Sequence, residues 1–490
     1  MVLGWILTIM VLLGVSPLIA SAFQFSLVGL HGARKPVTKN YFPKLAIVIP
    51  AWNEEGVIGN TIESLMMLHY PTHKLHIYVV DDASDDQTPA IVKAKHNKYP
   101  NNVFHIRREK GGEGKAHTLN HGINIIMQEK WMEALLIIDA DVLFEKYSLV
   151  RMTRHLTNKK VGSVTAYIKE GSVPGNLITR FIAFEYITAQ AASRRAQNLL
   201  GHLACLAGGA QLHTAVNLEE IGGCIDTSSL AEDTFTTFKT QLSGRDAIFE
   251  PNAIVWAEEP DTLDAVWKQR LRWARGNIQV TKAFKHMWFH KDVSKKLGSL
   301  SFALLWFPIM LMPFFLMLGS IGLISLYFID FPLSWKLFQA LWITNIIIYL
   351  FITLFSFEID PGTAKRAWFE GLMFPGLIAL CIMFLSLFPG YLESLLFNGI
   401  PEKPPLLSWQ SLLILFMYSW LTLGMFASYL CMKLERLSLP KVVTMGLNLA
   451  VGFGPFLCMI TLYSYVAEWR KSELKWDKTE KKGNVKIIDD

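Results

Sequence analysis

Asp139 and Asp141 follow the apolar run 134–138 with one residue between them. A hard divalent cation needs closely spaced oxygen ligands of this kind, and the competing use of such a pair is to cap a turn. Asp81 and Asp82 end a second apolar run, where carboxylates accept hydrogen bonds from a base or ribose, or cap the helix that starts near Pro89. Lys115 follows the glycine-rich stretch Gly111-Gly112-Glu113-Gly114. Backbone N–H groups and a lysine at a helix start suit a nucleotide phosphate or base, although the spacing is not that of a Walker loop. Glu232-Asp233 follows the polar turn 226–229. A carboxylate there could take a proton from a hydroxyl within hydrogen-bond reach, or cap a helix. Gln269, Arg272 and Trp273 stand at offsets 0, 3 and 4, which places them on one helical face. An arginine there could neutralise a developing diphosphate while the indole lies against a sugar ring; the alternative is a helix at a membrane surface with snorkelling cations.

The elements that must position these groups alternate. Apolar runs at 45–50, 75–80, 103–106 and 134–138 read as strands, and 54–68, 89–96 and 116–128 carry helical spacing. Such alternation predicts a doubly wound α/β sheet with helices on both faces and ligands at the carboxyl ends of the strands, where the acidic pairs fall. Two later stretches, 176–200 and 262–290, are amphipathic; each would lie in a membrane interface or pack on the sheet.

The chain has 490 residues, of which 51% are hydrophobic, and the apolar residues are unevenly spread. Residues 40–295 have the composition of a soluble domain. Residues 1–32 form an anchor, and 297–466 contain apolar blocks at 298–328, 336–357, 371–397, 406–432 and 441–466, long enough for membrane spans. Basic residues follow the first block rather than precede it, so it reads as a retained anchor whose far end, with the soluble domain, is cytoplasmic. A net charge of +6 clustered near membrane ends fits lipid headgroups and no nucleic-acid partner. The five cysteines form no C-x-x-C pair, which argues against a zinc site or a disulfide framework.

Taken in order, Pro50-Ala51-Trp52-Asn53-Glu54-Glu55, Asp81-Asp82, Gly114-Lys115, Asp139-x-Asp141, Glu232-Asp233 and Gln269-x-x-Arg272-Trp273 resemble the processive family-2 synthases of cellulose, chitin, hyaluronan and poly-N-acetylglucosamine. The resemblance covers about residues 45–285 and implies a GT-A glycosyltransferase domain inserted between transmembrane helices that form a channel. It implies a UDP-sugar donor, a nascent polysaccharide acceptor, a Mg²⁺ or Mn²⁺ cofactor, a plasma-membrane location and room for accessory export or regulatory subunits. By resemblance, Asp82 with Asp81, Glu54 and Lys115 would hold the nucleotide. Asp139 and Asp141 would hold the metal and diphosphate, and Asp233, beside Glu232, would be the base. Gln269, Arg272, Trp273 and Gly208 would meet the acceptor end and the diphosphate. The family usually has threonine before the Glu-Asp pair, where this chain has Ala231.

In the tail, 467–490, residues 476–482 resemble a segment that closes over the nucleotide, with Trp476, Thr479 and Lys481 as its gating residues. A cytoplasmic tail requires that one of the five apolar blocks not cross fully. The expected one is 371–397, where Pro375-Gly376 and Pro389-Gly390 break the helix; 298–328, with Pro308 and Pro313, is the alternative. The rival functions are a transferase that adds one sugar to a lipid, and a scaffold with an inactive transferase domain.

Overall fold

Strands β1 (Leu45–Ala51), β2 (Leu75–Asp81) and β4 (Ala134–Ile138) are buried almost end to end, as apolar runs must be when a parallel sheet is covered on both faces. In the computed structural model, which describes residues 2–31, 37–290, 297–397, 401–437, 440–473, 481 and 483–488, the chain divides into two units. One comprises Leu27–Asp261, Arg275–Ala303 and Glu473–Asp490, and carries the sheet; the other comprises Met1–Ser26, Thr262–Ala274 and Leu304–Ser472.

In the first unit, β3 (Val103–Arg107) completes a parallel set ordered β3-β2-β1-β4. The crossovers are the helices Ile58–Met66, Thr88–Lys98 and Lys115–Gln128. The first is shorter than its sequence pattern, because residues 54–57 form a turn in which Val57 and Ile58 both donate to the Glu54 carbonyl. Beyond β4 the sheet becomes mixed. It continues through β7 (Ala210–Thr214), β6 (Val161–Glu170) and β8 (Asp246–Ala257) to β5 (Val142–Phe144). β7 is antiparallel to both neighbours, β6 and β8 are parallel, and β5 is antiparallel to β8.

That order imposes a curl. Three strands lie between β4 and β5 in the sheet, yet only residues 139–141 join them in sequence. A flat sheet would separate β4 from β5 by roughly 19 Å, at about 4.8 Å per strand. Four residue steps reach at most about 14 Å. The sheet therefore wraps around the Asp139-Ala140-Asp141 link, and the irregular register between β6 and β8, where Ala166 faces Glu250 but Tyr167 faces Ile254, supplies one of the bends.

The amphipathic stretch 176–200 is helical from Leu177 to Leu200: Leu177–Tyr186, a π-helical turn Ile187–Ala192, and Ser193–Leu200. Asn176 and Thr179 close it with a capping box, and Gly201 ends it in the left-handed conformation. Its apolar face packs on β6 and β8. The other stretch forms the helix Leu263–Ala283.

The second unit is helical. Leu300–Ile329, Phe331–Ile359 and Trp409–Glu435 are each long and apolar enough to cross a membrane. Pro308 and Pro313 sit inside the first without interrupting it. Three further pairs meet the same test only as bent spans: Val2–Leu13 with Ser16–Leu30 at 43°, Leu377–Ser386 with Pro389–Phe397 at 97°, and Val442–Val451 with Phe453–Trp469 at 81°. The block 371–397 is thus interrupted twice, at 374–376 and at 387–388. The break at Gly452 lies against the first of these. A Cβ on Gly376 would strike the Val451 carbonyl, one on Gly452 would strike Pro375, and both glycines have positive φ. The Gly454 N–H donates to Phe374 O at 2.9 Å, so backbone freed by one break is satisfied by the other.

The helix Lys115–Gln128 approaches β1 and β2 through Gly122, where a Cβ would run into the Val80 side chain and come within 3.3 Å of Val48. Gly122→Val is expected to destabilise the sheet unit by about 1–3 kcal/mol through overpacking. The measurement is a fall in the thermal unfolding midpoint, and an unchanged midpoint would refute the close packing.

Candidate active site

Sheet order gathers the chemistry-bearing segments at one rim. Antiparallel pairing sets Ala210, the first residue of β7, beside Ile138, the last of β4, so the Gly208-Gly209 loop arrives next to Asp139. Val142 pairs with Ala257, so Asp141 lies where β8 ends and Glu258 begins.

On the parallel side, the loops after β1 and β2 are stitched together. Asn53 N donates to Ser84 Oγ, Glu54 N to Thr88 Oγ1 and Glu55 N to Asp86 Oδ2. Glu54 is thereby fixed beside the acidic loop through its backbone. Asp81 is fully buried and accepts from Arg107, His105 and the Ser84 N–H. Burial pushes its pKa up, but the hydrogen bonds from His105 and Ser84 and the Arg107 charge outweigh it and hold the carboxyl below its ordinary range. Asp81 therefore braces the strand end. Asp82 pairs with Arg108 and accepts from Gly112 N at 2.9 Å, which ties it to the glycine loop. Gly111 is required there, because a Cβ would run into the Asp82 carbonyl.

Lys115 begins the helix that follows this loop and lies at the centre of the carboxylates. Its Nζ is 2.5 Å from Asp139 Oδ1, 3.5 Å from Glu232 Oε1 and 3.3 Å from the Gly208 carbonyl. Burial opposes its charge, but Asp139, Glu232 and Asp233 together outweigh burial and raise its pKa. A Cβ on Gly208 would sit 3.2 Å from Asp233 Oδ2 and 3.4 Å from Lys115 Nζ. The loop therefore lies close against Asp233 and Lys115, and a side chain at Gly208 would crowd both. That loop is held from behind by Thr237 Oγ1 on Leu206 N, Thr165 Oγ1 on Ala207 N and Gln241 Oε1 on Leu203 N.

Glu232 and Asp233 open the helix Glu232–Leu242, whose positive end favours their charge. Burial is the larger influence on Asp233 and, with the neighbouring Glu232 carboxylate, pushes its pKa up to about 6 against the pull of Lys115. Ala231, ahead of the pair, packs so closely on Gly276 that a Cβ on that glycine would meet it.

Sequence patterns missed two groups behind Asp233. The Cys205 thiol donates to Leu206 O at 3.0 Å, and burial with the nearby Asp233 charge raises its pKa; the buried Arg194 guanidinium acts on both. Arg194 also donates to Gln190 Oε1 at 3.1 Å, from within the π-helical turn. A lone cysteine beside an apolar loop and an arginine ending an amphipathic helix carry no motif, and only the fold brings them to the carboxylate.

Among the tail residues, Trp476 and Thr479 lie outside the described residues. Lys481 reaches the rim: its Nζ is 2.7 Å from Asp141 Oδ2 and donates to the Glu258 carbonyl at 2.7 Å. Gln269, Arg272 and Trp273 belong to the part of their helix assigned to the helical unit. There Gln269 accepts from Arg270 at 2.8 Å, and the Arg270 guanidinium lies 4.1 Å from the centre of the exposed Trp273 ring. Trp267, six residues before Trp273, is lodged among Tyr429, Phe456 and Tyr463.

Each aspartate of the Asp139/Asp141 pair faces a lysine ammonium, so both carboxylates are disposed to bind positive charge. Among the described residues, no three His, Cys, Asp or Glu side chains gather into a closed metal cage. The two carboxylates, Asp139 partly exposed and Asp141 buried, fit a divalent ion whose remaining ligands are phosphate oxygens and water.

Residues 43–276 match the family described as glycosyltransferase like family 2. The chain is 32% identical over 330 residues to the probable glycosyltransferase YdaM of Bacillus subtilis (strain 168), covering 66% of this chain and 76% of that one. It is 28% identical over 240 residues to a poly-beta-1,6-N-acetyl-D-glucosamine synthase of Staphylococcus epidermidis, covering 48% of this chain and 55% of that synthase, about half its length. The mannosyltransferase PcManGT from Pyrobaculum calidifontis, solved in complex with GDP-Man and Mn2+, superposes with a TM-score of 0.55 at 19% identity. The match covers 75% of this chain and 99% of that one, and shows that the two share the GT-A fold.

An unfolded aspartate titrates near roughly 4, and folding raises Asp233 to about 6. The folded state thus holds that proton more tightly, and this group's ionisation costs stability progressively as pH rises through that window. Asp233→Asn is expected to raise the thermal midpoint at pH 8 and to leave it little changed at pH 4. A lower midpoint at pH 8 would show that the pairing with Lys115 dominates instead.

Proposed function

Because the chain belongs to glycosyltransferase family 2, we propose that it is an inverting, processive β-glycosyltransferase that polymerises a UDP-sugar and passes the product through its own helical unit. The observation that carries this reading is the buried Asp233, pushed up to about 6, with Lys115 and the Gly208 backbone close against it. A base works best when its pKa lies near the working pH.

The acceptor hydroxyl oxygen attacks the anomeric carbon from the face opposite the diphosphate, and its proton passes to Asp233. The bond to the diphosphate oxygen breaks as the new bond forms, so the configuration inverts and no covalent enzyme intermediate is needed. Glu232 keeps Asp233 basic. Lys115 offsets the charge on the departing nucleoside diphosphate, and the family resemblance gives Arg272 the same role. Asp139 and Asp141 would hold Mg²⁺ or Mn²⁺, which supplies further charge stabilisation to that leaving group when bound. Asp82, steadied by Asp81 and the Glu54 turn, takes the uridine. By the family resemblance, Gln269 and Trp273 take the acceptor end, and Gly208 is a further acceptor-side residue of the sheet unit.

UDP-N-acetylglucosamine and UDP-glucose are the donors that fit the family resemblance, and the staphylococcal relative's name favours the first. The basic residues after the first apolar block favour a plasma-membrane protein with its catalytic unit on the cytoplasmic side.

Full-length protein in lipid nanodiscs, given each labelled donor, is expected to yield long chains early while much of the enzyme is still unproductive. Product that stops at one sugar on a lipid would replace polymerisation with lipid glycosylation. No product with any donor would leave the inactive scaffold. Asp141→Asn is expected to abolish transfer with expression intact. Asp233→Asn should lower turnover by about 10²-fold or more with little change in donor binding, as loss of a general base does. Loss of donor binding with an unchanged chemical step would move Asp233 to a binding role.

A further inference from the structure

Residues 483–486 lie along residues 171–173, just beyond the end of β6, as a short antiparallel strap. Val173 N donates to Asn484 O at 2.8 Å, Lys486 N donates to Gly171 O at 2.9 Å, and Ser172 faces Val485. Glu258 pins the start of the strap by accepting from Gly483 N at 3.0 Å and Asn484 N at 3.3 Å. The fit is close. A Cβ on Gly483, which has a φ of 73°, would lie 2.7 Å from Gly56 O, and one on Gly171 would lie 3.1 Å from Lys486 O. This strap delivers Lys481 to Asp141, where the ammonium is largely buried.

The pairing has a chemical consequence. Asp141 is itself buried, and its Oδ2 faces Lys481 rather than solvent. A buried carboxylate needs a compensating charge, and here a side chain remote in sequence supplies it. The Lys481 Nζ is held between Asp141 Oδ2 and the Glu258 carbonyl, each at 2.7 Å. A divalent ion at the same carboxylate would bring twice the charge, and two cations confined to one buried carboxylate repel strongly. Lys115 differs, because Glu232 and the Gly208 carbonyl remain as partners if Asp139 is taken by a metal. Asp141 is the carboxylate that Lys481 pairs with directly among the described residues.

We propose that Lys481 is the resting counter-ion of Asp141, and that a divalent cation at the Asp139/Asp141 pair expels it and loosens the strap. The inference rests on the assignment of Asp139 and Asp141 as metal ligands. Metal loading and strap docking are then opposed equilibria, and each weakens the other by the same factor.

The test uses full-length protein in nanodiscs without donor, with free Mn²⁺ read by electron paramagnetic resonance and the strap read by amide hydrogen exchange. Lys481→Met is expected to bind Mn²⁺ about 10-fold more tightly than wild type, a typical coupling. Lys481→Arg, which keeps the charge, should stay near wild type. In wild type, Mn²⁺ should speed exchange at Val173, Gly483 and Lys486 several-fold, and Asp141→Asn should abolish both the binding and the response. Unchanged or weaker Mn²⁺ binding by Lys481→Met, or strap amides that slow or do not respond, would overturn the proposal. If Asp141→Asn removes binding but Lys481→Met changes nothing, the metal assignment stands and only the latch fails. If Asp141→Asn binds like wild type, or none of the proteins binds Mn²⁺, both fall.

Discussion

Three residues must carry the chain from the end of β4 to the start of β5 across the width of three intervening strands. That short reach is the constraint on which the rest of the sheet unit depends. It forces the sheet to close around Asp139-Ala140-Asp141, and closure brings to one rim the end of β8, the loop before β7 and the start of the helix Glu232–Leu242. A doubly wound sheet alone would place ligands at a cleft between strand ends. The curl turns that cleft into a basin with carboxylates on several sides.

Concentrating acid in this way carries a penalty that cations must offset. Lys115 serves Asp139 and Glu232, Lys481 serves Asp141, and the buried Arg194 charge acts on Asp233. Each cation comes from a different stretch of chain, so the charge balance of the rim is assembled only when the whole unit is folded. Asp233 is the least compensated of these carboxylates, and that imbalance keeps it basic near neutral pH. Stability is given up at Asp233, where the folded state favours the protonated carboxyl.

The parallel half of the sheet was legible because β1, β2 and β4 are apolar runs ended by proline or aspartate, and a strand buried on both faces has little choice of composition. The mixed half was not. β6 reads Val-Gly-Ser-Val-Thr-Ala-Tyr-Ile-Lys-Glu, with no alternation and no continuous apolar run, although every residue in it is buried. Its polar side chains are accommodated by other segments, as where Thr165 bridges the Ala207 N–H and the Ala210 carbonyl. No local pattern encodes such partners. The same holds for the site. Asp139, Asp141 and Lys115 are visible because a strand end and a glycine loop announce them, and Asp233 because it follows a polar turn. Cys205, Arg194 and the pairing of Lys481 with Asp141 depend on contacts between segments far apart in sequence. Asp81 shows the converse, since a motif aspartate can be occupied in bracing its own strand end. In the helical unit, prolines marked the breaks in 371–397, but the break at Gly452 rests on a glycine whose meaning depends on the glycine opposite.

That last pair has a consequence for how this protein can vary. Where Gly376 and Gly452 meet, each backbone occupies the space that the other's side chain would need. Most crowded contacts in a protein can drift, because a larger residue on one side is offset by a smaller one on the other. Here both partners are already the smallest residue available, so neither can yield to the other. Two helices far apart in sequence are thereby bound to a common inheritance at one point, and a single change at either position has no one-step remedy at its partner.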